Sequence, residues 1–139
     1  MRARVHYLLM ILIQSVAMRA QDPQWMTHFG NATGYSLPFI LSGDAQEGLY
    51  AFGVFGGLPI VIGSDTVAPA GAEDVMLVKL DTAGNVLWVR TAGGDCPNDS
   101  ELYNSIAVDP SGDRVVVTGN HNCNVIWFGN ISVAGSGTT

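Results

Sequence analysis

The stretch DVMLVKLDTAGNVLWVRTAGG, Asp74 to Gly94, holds two apolar runs separated by a polar one. Val75, Met76, Leu77, Val78 and Leu80 make the first run, Asp81-Thr82-Ala83-Gly84-Asn85 the interruption, and Val86, Leu87, Trp88 and Val89 the second. β-Branched and aromatic residues suit a pleated, packed strand. Asp supplies the side-chain-to-backbone bond of a tight turn, and Gly its positive φ. The stretch therefore reads as a β-hairpin, with Asp74 to Asp81 paired to Val86 to Thr91. Val75 and Leu77 point to one side of the first strand and Met76, Val78 and Leu80 to the other, so both faces need cover. One hairpin cannot supply it.

Repetition does. Trp25-Met26-Thr27-His28-Phe29-Gly30 aligns with Trp88-Val89-Arg90-Thr91-Ala92-Gly93, 63 residues further on. Asp44 to Gly53, DAQEGLYAFG, aligns with Asp109 to Gly119, DPSGDRVVVTG, with one residue inserted in the turn. Ile60-Val61-Ile62-Gly63 matches Ile126-Trp127-Phe128-Gly129, and Val67-Ala68 matches Val133-Ala134, both displaced by 66. Small loop insertions account for the drift in spacing. In the second copy, Ser105 to Asp109 predicts a short strand, Asp109-Pro110-Ser111-Gly112-Asp113 a turn, and Arg114 to Gly119 the returning strand. Ile126 to Phe128 and Ile131 to Val133 flank Gly129-Asn130, a two-residue hairpin signal that Ile60 to Ile62 before Gly63-Ser64 repeats. No helical periodicity follows the first residues.

Composition agrees with modules that bury themselves against one another. Hydrophobic residues make up 47% of the 139-residue chain and charged ones 13%, which leaves little polar surface for a free-standing small globule. Length allows about one ordinary domain. At the N-terminus, Arg2 and Arg4 precede the apolar run Tyr7 to Ile13 and the small residues Ser15 and Ala17, the order of a secretory signal peptide. The run is shorter than the roughly 20 residues of a membrane span. Residues 1–20 are thus expected to be removed, after Ala17 or Ala20, the other reading being a buried N-terminal helix. What remains carries Lys79, Arg90 and Arg114 against 12 acidic residues, or 3 − 12 = −9. Such a chain has no basic patch for nucleic acid and is repelled by anionic lipid.

The order IAVDPSGDRVVVTG, then FGNISVAG, and the stretch DVMLVKLDTAGNVLWVRTAGG resemble the bacterial β-propeller repeat known as the SBBP repeat, found in large secreted or surface proteins. Asp109, Gly112, Gly119, Lys79, Asp81, Gly84 and Trp88 fall in order at family-like spacings, and the resemblance covers Trp25 to Thr139. The first copy departs from the pattern at Ser42-Gly43-Asp44-Ala45-Gln46-Glu47-Gly48. The resemblance implies an all-β fold of four-stranded antiparallel blades, with residues 21–139 forming about two partial blades of an incomplete propeller. Closed propellers have about four to eight blades. The expected partners are therefore the remaining blades of a longer protein, truncated here at its C-terminal side. Trp25 and Trp88 are assigned to packing between blades. Asp81, Gly84, Asp109 and Gly112 are assigned to turns.

In such a blade the loop entering the first strand and the loop leaving the second lie at one end, which brings Cys96 and Cys123 together. In an oxidising compartment a disulfide is the expected outcome, closing a loop that adds roughly 3 kcal/mol on the chain-entropy model. A zinc site built from these cysteines and His121 lacks the usual spacing. The acidic turns raise calcium as an alternative, but neither supplies the six to eight oxygens it requires, and an Asp bonding its own backbone explains both. His28 and His121 have no nucleophile in a recognisable elbow and no paired carboxylates accompany them, so no catalytic, cofactor or metal residue is assigned. Asn31-Ala32-Thr33, Asn98-Asp99-Ser100 and Asn130-Ile131-Ser132 are read as turn residues.

The functional expectation is a secreted or cell-surface, non-enzymatic segment, acting as scaffold or as an adhesion surface for a protein or glycan. Its contacts would come from the loops Gly94 to Tyr103 and Asn120 to Asn124. The alternative is part of a quinoprotein-like oxidoreductase, since Lys79 to Trp88 also resembles the tryptophan-docking repeat of that family. That repeat usually has one more residue between the Asp and the Gly.

Overall fold

A computed structural model describes residues 25–30, 34–94, 102–121 and 123–135. Ten strands and no helix occur among them. Strands β1 (Gly34–Gly43), β2 (Leu49–Gly57), β5 (Glu73–Leu80) and β6 (Val86–Gly93) form an antiparallel meander in that spatial order. A small hairpin, β3 (Ile60–Ile62) and β4 (Asp65–Val67), is inserted between β2 and β5. The central pair β5–β6 is the hairpin expected from the sequence, with Val75 opposite Ala92 and Lys79 opposite Trp88.

Both faces of β5 are covered, as its apolar pattern demands. On one side Met76, Val78 and Leu80 pack with Phe55, Ile60, Ile62 and Val89. On the other, Val75 packs with Phe52 and Ala92, joined at their margins by Leu77, Ile40 and Ile106. Each fully buried aliphatic or aromatic side chain contributes about 1.5–3 kcal/mol. Asp74, the second residue of β5, is 3% exposed. Its Oδ2 accepts the Ala70 N–H, which anchors the loop leading into the strand. Gly93 lies opposite, where a Cβ would land 1.9 Å from Asp74 Oδ1, so the carboxylate occupies the room a side chain would take.

A second unit repeats the first. Strands β7 (Leu102–Val108) and β8 (Val115–Asn120) reproduce β1 and β2 down to an irregularity, since the register slips between Pro38 and Ile40 and again between Tyr103 and Ser105. Strands β9 (Val125–Phe128) and β10 (Ile131–Ala134) reproduce β3–β4 pair for pair: Ile60–Val67, Val61–Thr66 and Ile62–Asp65 recur 66 residues later as Ile126–Val133, Trp127–Ser132 and Phe128–Ile131. The turn glycines Gly63 and Gly129 share a φ of 62°. Tandem duplication is thus visible in the backbone. Strand β9 also joins the edge of β6 through Ala92–Phe128 and Gly93–Trp127, extending the main sheet to six strands. In the first unit the Gly30 N–H, equivalent to that of Gly93, donates to Val61 O, the equivalent of Trp127. The signal segment, Cys96 and most of the loop from Gly94 to Tyr103 lie outside the described residues.

Candidate functional site

Three turns share one construction. Asp81 Oδ1 accepts the N–H groups of Ala83 and Asn85, Asp44 Oδ1 those of Gln46 and Gly48, and Asp109 Oδ1 that of Arg114. Asp44 and Asp81 close four residues on, by backbone bonds to Gly48 and Asn85, whereas Asp109 closes at Arg114, five residues on. The inserted residue inferred from the alignment therefore sits in the Asp109 turn. The third residue after each Asp is left-handed: Gly84 at φ 80°, Gly112 at 74° and, unusually for a residue with a side chain, Glu47 at 64°. All three carboxylates are held below their ordinary pKa. The main cause is the Asn85 side-chain amide for Asp81, the Gly48 N–H for Asp44 and the Arg114 N–H for Asp109.

The Asp44 turn also joins the two units. Its side chain is 1% exposed, and Lys79 Nζ of β5 lies 3.3 Å from Oδ2. The Tyr50 hydroxyl is 3.1 Å from both Asp44 Oδ2 and the carbonyl of Gly112, with one proton to serve the two acceptors. Ala45 N–H donates to Pro110 O at 3.0 Å, so equivalent turns of successive units are bonded to each other. The Lys79 ammonium sits 4.8 Å from the centre of the Tyr50 ring. The Tyr50 hydroxyl, and then Asp44, keep it above its ordinary pKa. A Cβ on Gly112 would come within 2.4 Å of Asp44 Oδ2, so close approach as well as positive φ demands glycine there. The sequence marks the aspartates and glycines but does not reveal that Asp44, Tyr50, Lys79 and Gly112 converge, because the Tyr50–Gly112 contact joins residues 62 apart in the chain.

A cleft of about 720 Å³ opens between β8 and the β5–β6–β9 part of the sheet. Phe52, Val75, Leu77, Ala92, Ile126 and Phe128 give it an apolar lining. Its polar rim includes Arg90 from β6, together with Asn120 and His121 from the loop expected to contact ligand. The Arg90 guanidinium lies 5.5 Å from the Trp88 ring and donates to Val89 O, which fixes its direction. Such a lining suits burial of apolar groups from a partner.

Trp25 and Trp88 are both half-buried. Trp25 packs its indole on Gly84, where a Cβ would come within 2.5 Å of the ring, and Trp88 meets Tyr50 edge-on at 6.0 Å between centroids. Phe29, four residues after Trp25, reaches the main apolar cluster. Cys123 is 3% exposed and its Sγ lies 3.2 Å from where a Cβ on Gly94 would be. Gly94 precedes Cys96 by two residues. Among the described residues no three His, Cys, Asp or Glu side chains gather in a metal-holding arrangement, and no helix is long and apolar enough to cross a membrane. Compared with known protein families, curated proteins and solved structures, the chain has no significant match in any of the three.

Proposed function

We propose that the chain is a non-catalytic segment of a secreted or cell-surface β-propeller repeat protein of the SBBP kind, serving as scaffold or as an adhesion surface for a protein or glycan. The observation that carries this reading is the four-stranded meander β1-β2-β5-β6, followed by a second unit that copies its first hairpin and its inserted hairpin in register. A propeller blade is a four-stranded antiparallel sheet, and blades stacked face to face cover apolar residues on both sides of each sheet. The loops Gly94 to Tyr103 and Asn120 to Asn124 are the proposed contact surface. Asn120 and His121 already stand at the rim of the apolar cleft. A Cys96–Cys123 disulfide would tie these loops together, and the burial of Cys123 against Gly94 supports it.

The test is where the protein goes and in what form. Full-length protein expressed in a bacterial host is expected outside the cytoplasm, lacking the first 17 or 20 residues by mass, and without titratable thiol from Cys96 and Cys123 under denaturing, non-reducing conditions. Retention in the cytoplasm with residues 1–20 intact would overturn the export reading, and two free thiols per exported chain would overturn the disulfide.

A further inference from the structure

In the first unit β2 is paired on both edges, to β1 on one and β5 on the other. Its counterpart β8 is paired to β7, and among the described residues no strand lies along its other edge. That edge is Val115-Val116-Val117-Thr118-Gly119-Asn120, with no charge to discourage pairing. Val116 is 60% exposed. Exposed apolar edges of this kind are normally charged, interrupted or covered.

A second observation, on another element, points the same way. Ile62 is fully enclosed because Met76, Val78 and Leu80 of β5 and Val89 of β6 pack around the β3–β4 hairpin. Its counterpart Phe128 is 43% exposed, and Val133, the counterpart of half-buried Val67, is 46% exposed. The inserted hairpin of the second unit thus lacks the cover that β5 and β6 give the first.

We infer that the open edge of β8, with the cleft beside it, is a docking surface for one further β-hairpin of the Asp74–Gly93 pattern, supplied by a neighbouring repeat of the same polypeptide. The inference rests on the repeat-array reading above and adds to it a location and a register. Tyr50, Phe52 and Val54 of β2 face Lys79, Leu77 and Val75 of β5. Carried across by the 66-residue displacement, the incoming lysine falls opposite Val116, the leucine opposite Thr118 and the valine opposite Asn120. The same hairpin then lays its other apolar face on Phe128 and Val133, so one partner accounts for both uncovered regions.

The experiment appends a copy of residues 74–94 directly behind Thr139, which keeps the spacing between Ile60 and Ile126, and follows amide hydrogen exchange by mass spectrometry. Exchange across Val115–Asn120 and Val125–Ala134 is expected to slow by roughly tenfold or more, and not to slow when the appended residues are scrambled. Unchanged exchange at β8 in a folded, extended chain would overturn the assignment. Should the extended chain not fold, the same residues are added to the original chain as a separate peptide, with the scrambled peptide as control, and protection of β8 decides in the same way. Protection of β8 that rises with concentration of the original chain alone would assign the edge to a second copy and also overturn the proposal. Any of these failures leaves the export test untouched, so the two readings fail separately.

Discussion

The hairpins β3–β4 and β9–β10 have one backbone and two environments. Every Cα pair recurs after 66 residues and the turn glycine has the same φ, yet the first hairpin is built into the main apolar cluster and the second leaves Phe128 and Val133 nearly half exposed. Local sequence is therefore enough for the turn and register. Burial comes from Met76, Val78, Leu80 and Val89 of the β5–β6 hairpin packing around the first, and among the described residues no equivalent hairpin packs around the second. This is the behaviour of a repeat protein, in which stability belongs to the interfaces between units as much as to the units.

Truncation at equivalent positions should separate the two environments most strongly. Ile62→Ala is expected to cost about 2–5 kcal/mol in urea unfolding, as core truncations do. Phe128→Ala should cost roughly 1 kcal/mol or less, because a half-exposed ring recovers only part of its transfer energy. Equal costs would mean that the second hairpin is buried in solution. Gly63→Ala and Gly129→Ala then isolate packing from backbone. Both place a side chain at φ 62°, which costs about 1–2 kcal/mol. Only at Gly63 would the new Cβ also meet Val86, at 2.7 Å, whereas nothing lies within 4 Å of the one at Gly129. A further loss of about 1–3 kcal/mol is expected for Gly63→Ala alone.

Acid should distinguish the turns. Asp44 and Asp109 both titrate below their ordinary 3.8, so each stabilises the fold above that value and loses its contribution as the pH falls through the lower folded one. Protonating Asp109 loosens its own turn. Protonating Asp44 also weakens its contacts with Lys79 and Tyr50, hence the junction between units. Asp44→Asn should therefore flatten the decline in Tm as the pH falls below about 4 more than Asp109→Asn does. Lys79, held above its ordinary 10.5, adds the opposite dependence, lost as the pH rises past that value. The smallest effect expected is a gain: Glu47→Gly gives the first turn the residue its two counterparts have, and should raise stability by about 1 kcal/mol by relieving a left-handed residue.

Much of this was legible before the fold was known, for identifiable reasons. The β5–β6 hairpin announces itself because its strands are apolar on both faces and its turn carries the Asp and Gly that the backbone needs. The repeat was legible because both copies keep the residues that make turns and bury faces. Strand β1 was harder to read: Pro38 interrupts it, and it survives as the edge of the sheet with a register slip at that point. The first turn was blurred because Glu47 occupies the left-handed position that glycine marks elsewhere. The junction formed by Asp44, Tyr50, Lys79 and Gly112 could not be read at all, since it depends on how two units meet. Nor could the pairing of β9 with β6, which no local pattern encodes.

The two copies of one unit differ because, among the described residues, the β5–β6 hairpin packs around the first inserted hairpin and no equivalent hairpin packs around the second. Residue-resolved hydrogen exchange on the chain as it stands tests it most directly. Amides in Ile60–Val67 should exchange only when the main sheet opens, and those in Val125–Ala134 roughly a hundredfold faster or more, through local opening. Equal protection of the two hairpins would contradict the account.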